Sequence, residues 1–165
     1  MKLRRFERNN KAQVLGLPMY LIIIMIVAVA VIAAVLFMIP QGNKVMKAVV
    51  TENPVVSDGS DPGSDGVWVF SDFEPKIVVQ TADERGDPIV GATVRLSGGG
   101  VVTQGTTDNT GTVVFDGGTG AGHGPVVTGA KLEANINEAY MKLTVKAAGF
   151  EDFTDDSAVL LYRPT

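Results

Sequence analysis

The chain contains no cysteine, which excludes disulfides, thiolate metal sites and cysteine nucleophiles together. Stability must come from a packed core, from assembly or from bound ions. Histidine is almost absent as well. His123 is alone and flanked by glycines, with no second histidine to complete a ligand set, so it reads as a solvated loop residue rather than a metal ligand or general base. No serine sits in a nucleophile-elbow context, and Gly98-Gly99-Gly100 follows a strand without the lysine and threonine of a phosphate loop, so it is better read as a hairpin tip. Asn-x-Ser/Thr triplets are missing too, so any glycan would be O-linked. The expectation is of no catalytic residues, no cofactor and no enzyme.

Charge is missing from one long stretch. Leu17 to Ile39 is 23 residues without a charged side chain. As a helix it is about 35 Å long, enough to cross a hydrocarbon core of roughly 30 Å with some tilt. This run explains why a chain of 165 residues reaches 45% hydrophobic residues and a mean hydropathy of +0.21. The flanks differ in sign. Lys2, Arg4, Arg5, Arg8 and Lys11 against Glu7 make the first sixteen residues +4, whereas residues 40–165 hold nine basic and seventeen acidic residues, net −8. The positive-inside rule predicts an N-terminus inside and a C-terminal domain outside the cell membrane. The basic residues beyond the apolar run are scattered singly, which offers no stripe for a phosphate backbone and excludes nucleic acid as a partner.

Four segments follow from these shifts: a basic leader or cytoplasmic tail at 1–12, an apolar helix at 13–42, a connecting segment at 43–75, and a β domain at 76–165 interrupted by a Gly-rich insertion at 117–140. Gly16 and Pro18 suit a helix start, and Pro40 with Gly42 stops it. The helix is apolar all round, so it faces lipid or other helices. Ala30 and Ala34 form a small-xxx-small pair that lets two helix backbones approach, although alanines also simply fill a span. Asn43 to Val56 fits either a helix continued past a kink or a strand. The run from Asp58 to Gly66 has the composition of a flexible linker. Asp58, Asp61 and Asp65 are calcium candidates within it, but their spacing lacks the alternation of an EF-hand loop and a solvated linker is the preferred reading.

From Lys76 the text becomes short strands separated by turns. Ile77 and Val79 share a face, as do Ala92, Val94 and Leu96, then Val113 and Phe115, then Leu143, Val145 and Ala147; Val159 and Leu161 close the series. Asp87-Pro88 and Asp108-Asn-Thr-Gly111 supply turn chemistry. This predicts one N-terminal helix followed by an all-β, two-sheet antiparallel sandwich of immunoglobulin-like type. Gly117 to Gly124 has too little apolar surface to pack and is expected to be a mobile excursion, with a weakly alternating edge strand at Lys131 to Ile136. Trp68, Phe70 and Phe73 fit a first strand packed on the core, or else a subunit contact or ligand platform. Glu151, Asp152, Asp155 and Asp156 fit a solvated charged turn better than a calcium site.

Two resemblances lie on these residues. Ile77 to Leu96, Thr107-Asp-Asn-Thr-Gly-Thr-Val-Val-Phe115 and Leu143-Thr-Val-Lys-Ala-Ala-Gly-Phe150 together resemble the carboxypeptidase regulatory-like (transthyretin-like) domain family. That likeness implies an immunoglobulin-like sandwich of about seven strands, used as an accessory, adhesive or spacer module. Lys11-Ala12-Gln13-Val14 ahead of the apolar run resembles the processing site of archaeal type IV pilins, the class III signal peptide. It implies that a prepilin peptidase cuts after Ala12, leaving Gln13 as the mature N-terminus. Leu17 stands at the fifth mature position, where many pilins carry glutamate.

The expected function is therefore a structural subunit of an extracellular pilus-like filament, self-associating through the helix and displaying the β domain for adhesion. The alternative is an uncleaved, membrane-anchored domain that binds a surface protein or glycan. An accessory subunit of an enzyme is suggested only by the family name of the domain.

Overall fold

The computed structural model describes residues 11–39, 42–57, 59–60, 65–81, 83 and 85–163. The chain divides into two compact units, one reaching Gly42 and one starting at Asn43. The first is helix α1 (Lys11–Met38), 28 residues of uninterrupted helix. The second holds eleven strands among the described residues: β1 (Met46–Glu52), β2 (Val55–Val56), β3 (Gly59–Ser60), β4 (Trp68–Phe70), β5 (Lys76–Thr81), β6 (Thr93–Gly98), β7 (Val101–Thr106), β8 (Thr112–Val114), β9 (Lys131–Leu132), β10 (Glu138–Lys146) and β11 (Phe153–Tyr162). An apolar helix followed by a β-rich unit is as expected, with more strands than the seven anticipated.

Three sheets form, in the orders β1-β5-β8, β2-β11-β10-β6-β7 and β3-β4-β9. The first shows why the ambiguous stretch after the helix is a strand. Met46 and Val50 are buried and pair with Thr81 and Ile77 across an antiparallel ladder, so β1 supplies the outer partner of β5. The boundary expected at residue 76 therefore moves to Asn43, and the stretch 43–75 contributes strands rather than merely connecting. Sequence composition hid this because β1 and β5 are separated by the Asp/Gly/Ser-rich run, and only long-range pairing unites them.

Alternation sets the core. Along β10, Met141, Leu143 and Val145 are fully buried while Tyr140, Lys142 and Lys146 are exposed, the period of two of a half-buried strand. The rows Val94 with Leu96, Ile77 with Val79, and Val159 with Leu161 are equally buried, as the spacing predicts. All three sheets feed one hydrophobic cluster, to which β4 and β9 add Phe70 and Leu132. Phe70 and Phe73 are buried and Trp68 packs against the cluster, so the aromatic trio belongs mainly to the core. Gly98 to Gly100 forms the β6–β7 hairpin tip, as expected.

The Gly-rich insertion is not the excursion that its composition suggested. Gly122 N–H donates to Thr106 O at the end of β7 at 2.8 Å, Lys131 N–H to Gly99 O of the hairpin tip at 2.8 Å, and the buried Thr103 hydroxyl of β7 to Pro125 O at 3.4 Å. The same segment pairs with β8 through Val114 N–H to Gly122 O and Gly124 N–H to Val114 O, both at 2.9 Å. It thus pairs along β8 and touches the end of β7, and its own Val127, Ala130 and Leu132 are buried. Close approach requires its glycines. A Cβ on Gly124 would stand 2.8 Å from the Phe115 ring. The edge strand expected over Lys131 to Ile136 is confined to Lys131–Leu132.

A glycine turn and a buried hydroxyl close the core. Gly111 takes a φ of +71° in the turn before β8, where a Cβ would meet Val79 O at 2.6 Å. Thr107, just past β7, is fully buried. Its hydroxyl donates to Ile89 O at 2.6 Å and accepts from Ala92 N–H at 2.9 Å, fastening the loop before β6 to the end of β7. Thr107→Val keeps the shape but strands both backbone groups, and is expected to cost about 2 kcal/mol, whereas Thr107→Ser keeps both bonds at about 1 kcal/mol. Urea unfolding of the β unit in the full-length protein checks the ranking; a larger loss in Thr107→Ser than in Thr107→Val would show that the methyl group, and not the hydroxyl, matters.

Candidate functional site

The surface most unlike that of a water-soluble protein is α1. Within it Met19–Met38 is long and apolar enough to span a bilayer. Every described side chain from Met19 to Ile39 is exposed, and no stripe is polar. In water such a surface has no favourable state; it needs lipid or other helices around it. Ala30 and Ala34 lie four residues apart, hence on one side of the helix, and both are exposed. Lys11, Ala12 and Gln13 form the backbone of the first turn. The leader before them lies outside the described residues.

Of the calcium candidates, only Asp65 lies among the described residues. Asp58 and Asp61 lie outside the described residues, and Asp65 accepts a hydrogen bond from Val67 N–H at 3.1 Å, an ordinary local turn. Among the described residues no group of three histidines, cysteines or carboxylates is placed to hold a metal ion. The second acidic group is occupied otherwise. Asp152 pairs with Lys146, Asp156 with Lys142 at 2.9 Å, and Asp155 accepts from the Ser157 amide at 2.9 Å and hydroxyl at 3.1 Å. Asp155 and Asp156 lie in β11, so only Glu151 and Asp152 belong to the turn in which all four were expected.

His123 has a partner that sequence reasoning missed. Its Nδ1 lies 2.9 and 3.0 Å from the two carboxylate oxygens of Asp116, which also accepts from Gly118 N–H at 2.9 Å. The pair pins the Gly-rich segment across its own loop. The only advance signal was a histidine seven positions after an aspartate in a glycine run, and nothing in that spacing demands contact.

No protein family, curated protein or solved structure matches the chain.

Three aspartates organise turns of the β unit. Asp83 accepts from the Thr81 hydroxyl at 2.8 Å and Gly86 N–H at 3.0 Å. Asp108 accepts from Thr110 N–H at 2.8 Å, the Thr110 hydroxyl at 2.7 Å and Thr112 N–H at 3.0 Å. The carboxyl of Asp83 is held below its usual range first by Thr81, that of Asp108 first by Thr110, and that of Asp116 first by His123. All three bond in their charged form. A carboxyl with a depressed folded-state pKa stabilises the fold above its unfolded pKa, and that contribution fades as pH falls through the lower folded value. The melting temperature of the β unit is therefore expected to be flat from neutral pH to about 5 and to drop below about 4. In Asp108→Ala the neutral-pH value falls and the acid drop shrinks; an unchanged acid drop in that variant would assign it to other groups.

Proposed function

We propose that the chain is a structural subunit of an extracellular type IV pilus-like filament, with α1 in the filament core and the β unit displayed outside. The observation that carries the reading is a helix apolar on every side, opened by Lys11-Ala12-Gln13-Val14. An anchor needs the apolar length alone; it does not need a basic-small pair at the first turn. Cleavage after Ala12 by a prepilin peptidase would remove the whole +4 charge of the leader and free the amine of Gln13. With the basic flank gone, the helix is free to exchange lipid for copies of itself, where Ala30 and Ala34 allow close backbone approach. The charge asymmetry sets the topology, leader inside and acidic unit outside.

In this reading the β unit is an immunoglobulin-like sandwich related to the carboxypeptidase regulatory-like domains, serving contact rather than catalysis. The shared core of its sheets and the buried rows over Ile77 to Leu96 and Leu143 to Val145 support it. A second reading, an uncleaved single-pass anchor that carries a binding domain on the cell membrane, is favoured by the end of α1 at Met38, before Pro40 and Gly42. A long filament stalk would continue further.

Intact mass and N-terminal sequencing of the native protein distinguish the two. Gln13 is the expected first residue, and a start at Met1 sinks the filament reading. Ala34→Leu, which widens the helix without lowering its hydrophobicity, is expected to reduce sheared surface filaments at least severalfold while leaving membrane insertion intact. Filament yield equal to that of the unaltered protein would remove Ala34 from the packing surface.

A further inference from the structure

The outer face of the five-stranded sheet gathers three of the nine basic residues of the acidic segment 40–165. Arg95 of β6 and Lys142 and Lys146 of β10 line a depression of about 330 Å³, together with the neutral polar groups of Thr93, Ser97, Gln104 and Thr144. Arg95 stands opposite Thr144 on one side and Gln104 on the other. Lys142 and Lys146 lie two residues to either side of Thr144, on the same face, so three cations meet as diagonal neighbours. They repel one another, and nothing in the packing of the core requires them there. The lysines lean toward Asp156 and Asp152, both exposed. Arg95 has no carboxylate within ion-pair distance among the described residues.

The chemistry of this face selects its occupant. With Lys142 and Lys146 matched by Asp156 and Asp152, Arg95 leaves one unmatched positive charge on this face, within a segment of net charge −8, and favours an anion there. The free guanidinium is planar and matches a carboxylate through two parallel hydrogen bonds. The two hydroxyls of threonine, the serine hydroxyl and the glutamine amide suit a ligand rich in hydroxyl groups. Tyr140, 51% exposed and next in the outward row of β10, offers an aromatic platform at the margin of the depression. No apolar side chain lines the depression itself, which disfavours a protein interface, whose centre is depleted of charge.

We propose that this face binds uronate units of an acidic polysaccharide, with Arg95 on the carboxylate, Lys142 and Lys146 supplying long-range attraction, and the hydroxyl and amide groups contacting sugar hydroxyls. This deepens the reading of a displayed contact domain. It does not require a filament: uncleaved protein that still binds overturns the filament and leaves the site standing.

The test uses the full-length protein in detergent micelles with polygalacturonate, dextran sulfate and neutral dextran as probes. Polygalacturonate is expected to bind, weakening with added salt, and neutral dextran is expected not to. Arg95→Gln and Lys142→Gln should each weaken binding roughly tenfold, with the melting temperature unchanged, while Lys131→Gln, on a different sheet, leaves it as it was. Absence of polygalacturonate binding, preference for dextran sulfate, or an equal loss in Lys131→Gln overturns the proposal. So does self-association that Arg95→Gln abolishes without any polymer binding, which would make the face a contact between copies.

Discussion

Burial of one row of side chains per strand, in a single core shared by three sheets, is the interaction on which the β unit rests. There are no disulfides to restrict the unfolded chain, so the entropy of ordering these strands is opposed by apolar burial and satisfied backbone bonds alone. That explains the care taken with polar groups at the core boundary. Thr107 is fully buried yet spends its hydroxyl twice, and among the described residues no buried side-chain nitrogen or oxygen lacks a partner.

A core of this kind creates sheet edges, and the Gly-rich segment answers that problem. Glycine is a poor residue for packing, but it lets backbone come within hydrogen-bonding distance of β7 and β8 while Phe115 and Val113 fill the space beneath. Asp116 and His123 then hold the segment's own loop in place. The outer face of the five-stranded sheet is open to solvent, as is that of β1, where Val49 is exposed. Its side chains carry no burden of stability and are free to serve recognition.

The helix obeys the opposite rule. Its side chains find no core, and its surface makes sense only in a medium without water. The two leading functional readings differ in what that medium is: lipid for an anchor, other copies of the helix for a filament. Both assign the chemistry of contact to the β unit and none to the helix. Both also account for why the charge of the chain is divided so sharply at the apolar run.

Much of the architecture was legible in advance, because periodicity is a local property. An uncharged run specifies a helix, and alternation such as Leu143-Thr144-Val145 specifies which side of a strand is buried, wherever that strand ends up. What the residues by themselves determined was therefore the helix, the buried rows and the turns at Gly98 and Asp108. Tertiary structure alone decided the rest: that β1 pairs with β5 across the Asp/Gly/Ser run, that the Gly-rich segment packs, that Asp116 meets His123, and that Arg95 joins Lys142 and Lys146 on one face. Each of these joins residues through register or close backbone approach. Strand register is fixed by the collective fit of the core, and no local pattern encodes which distant strand will supply the partner.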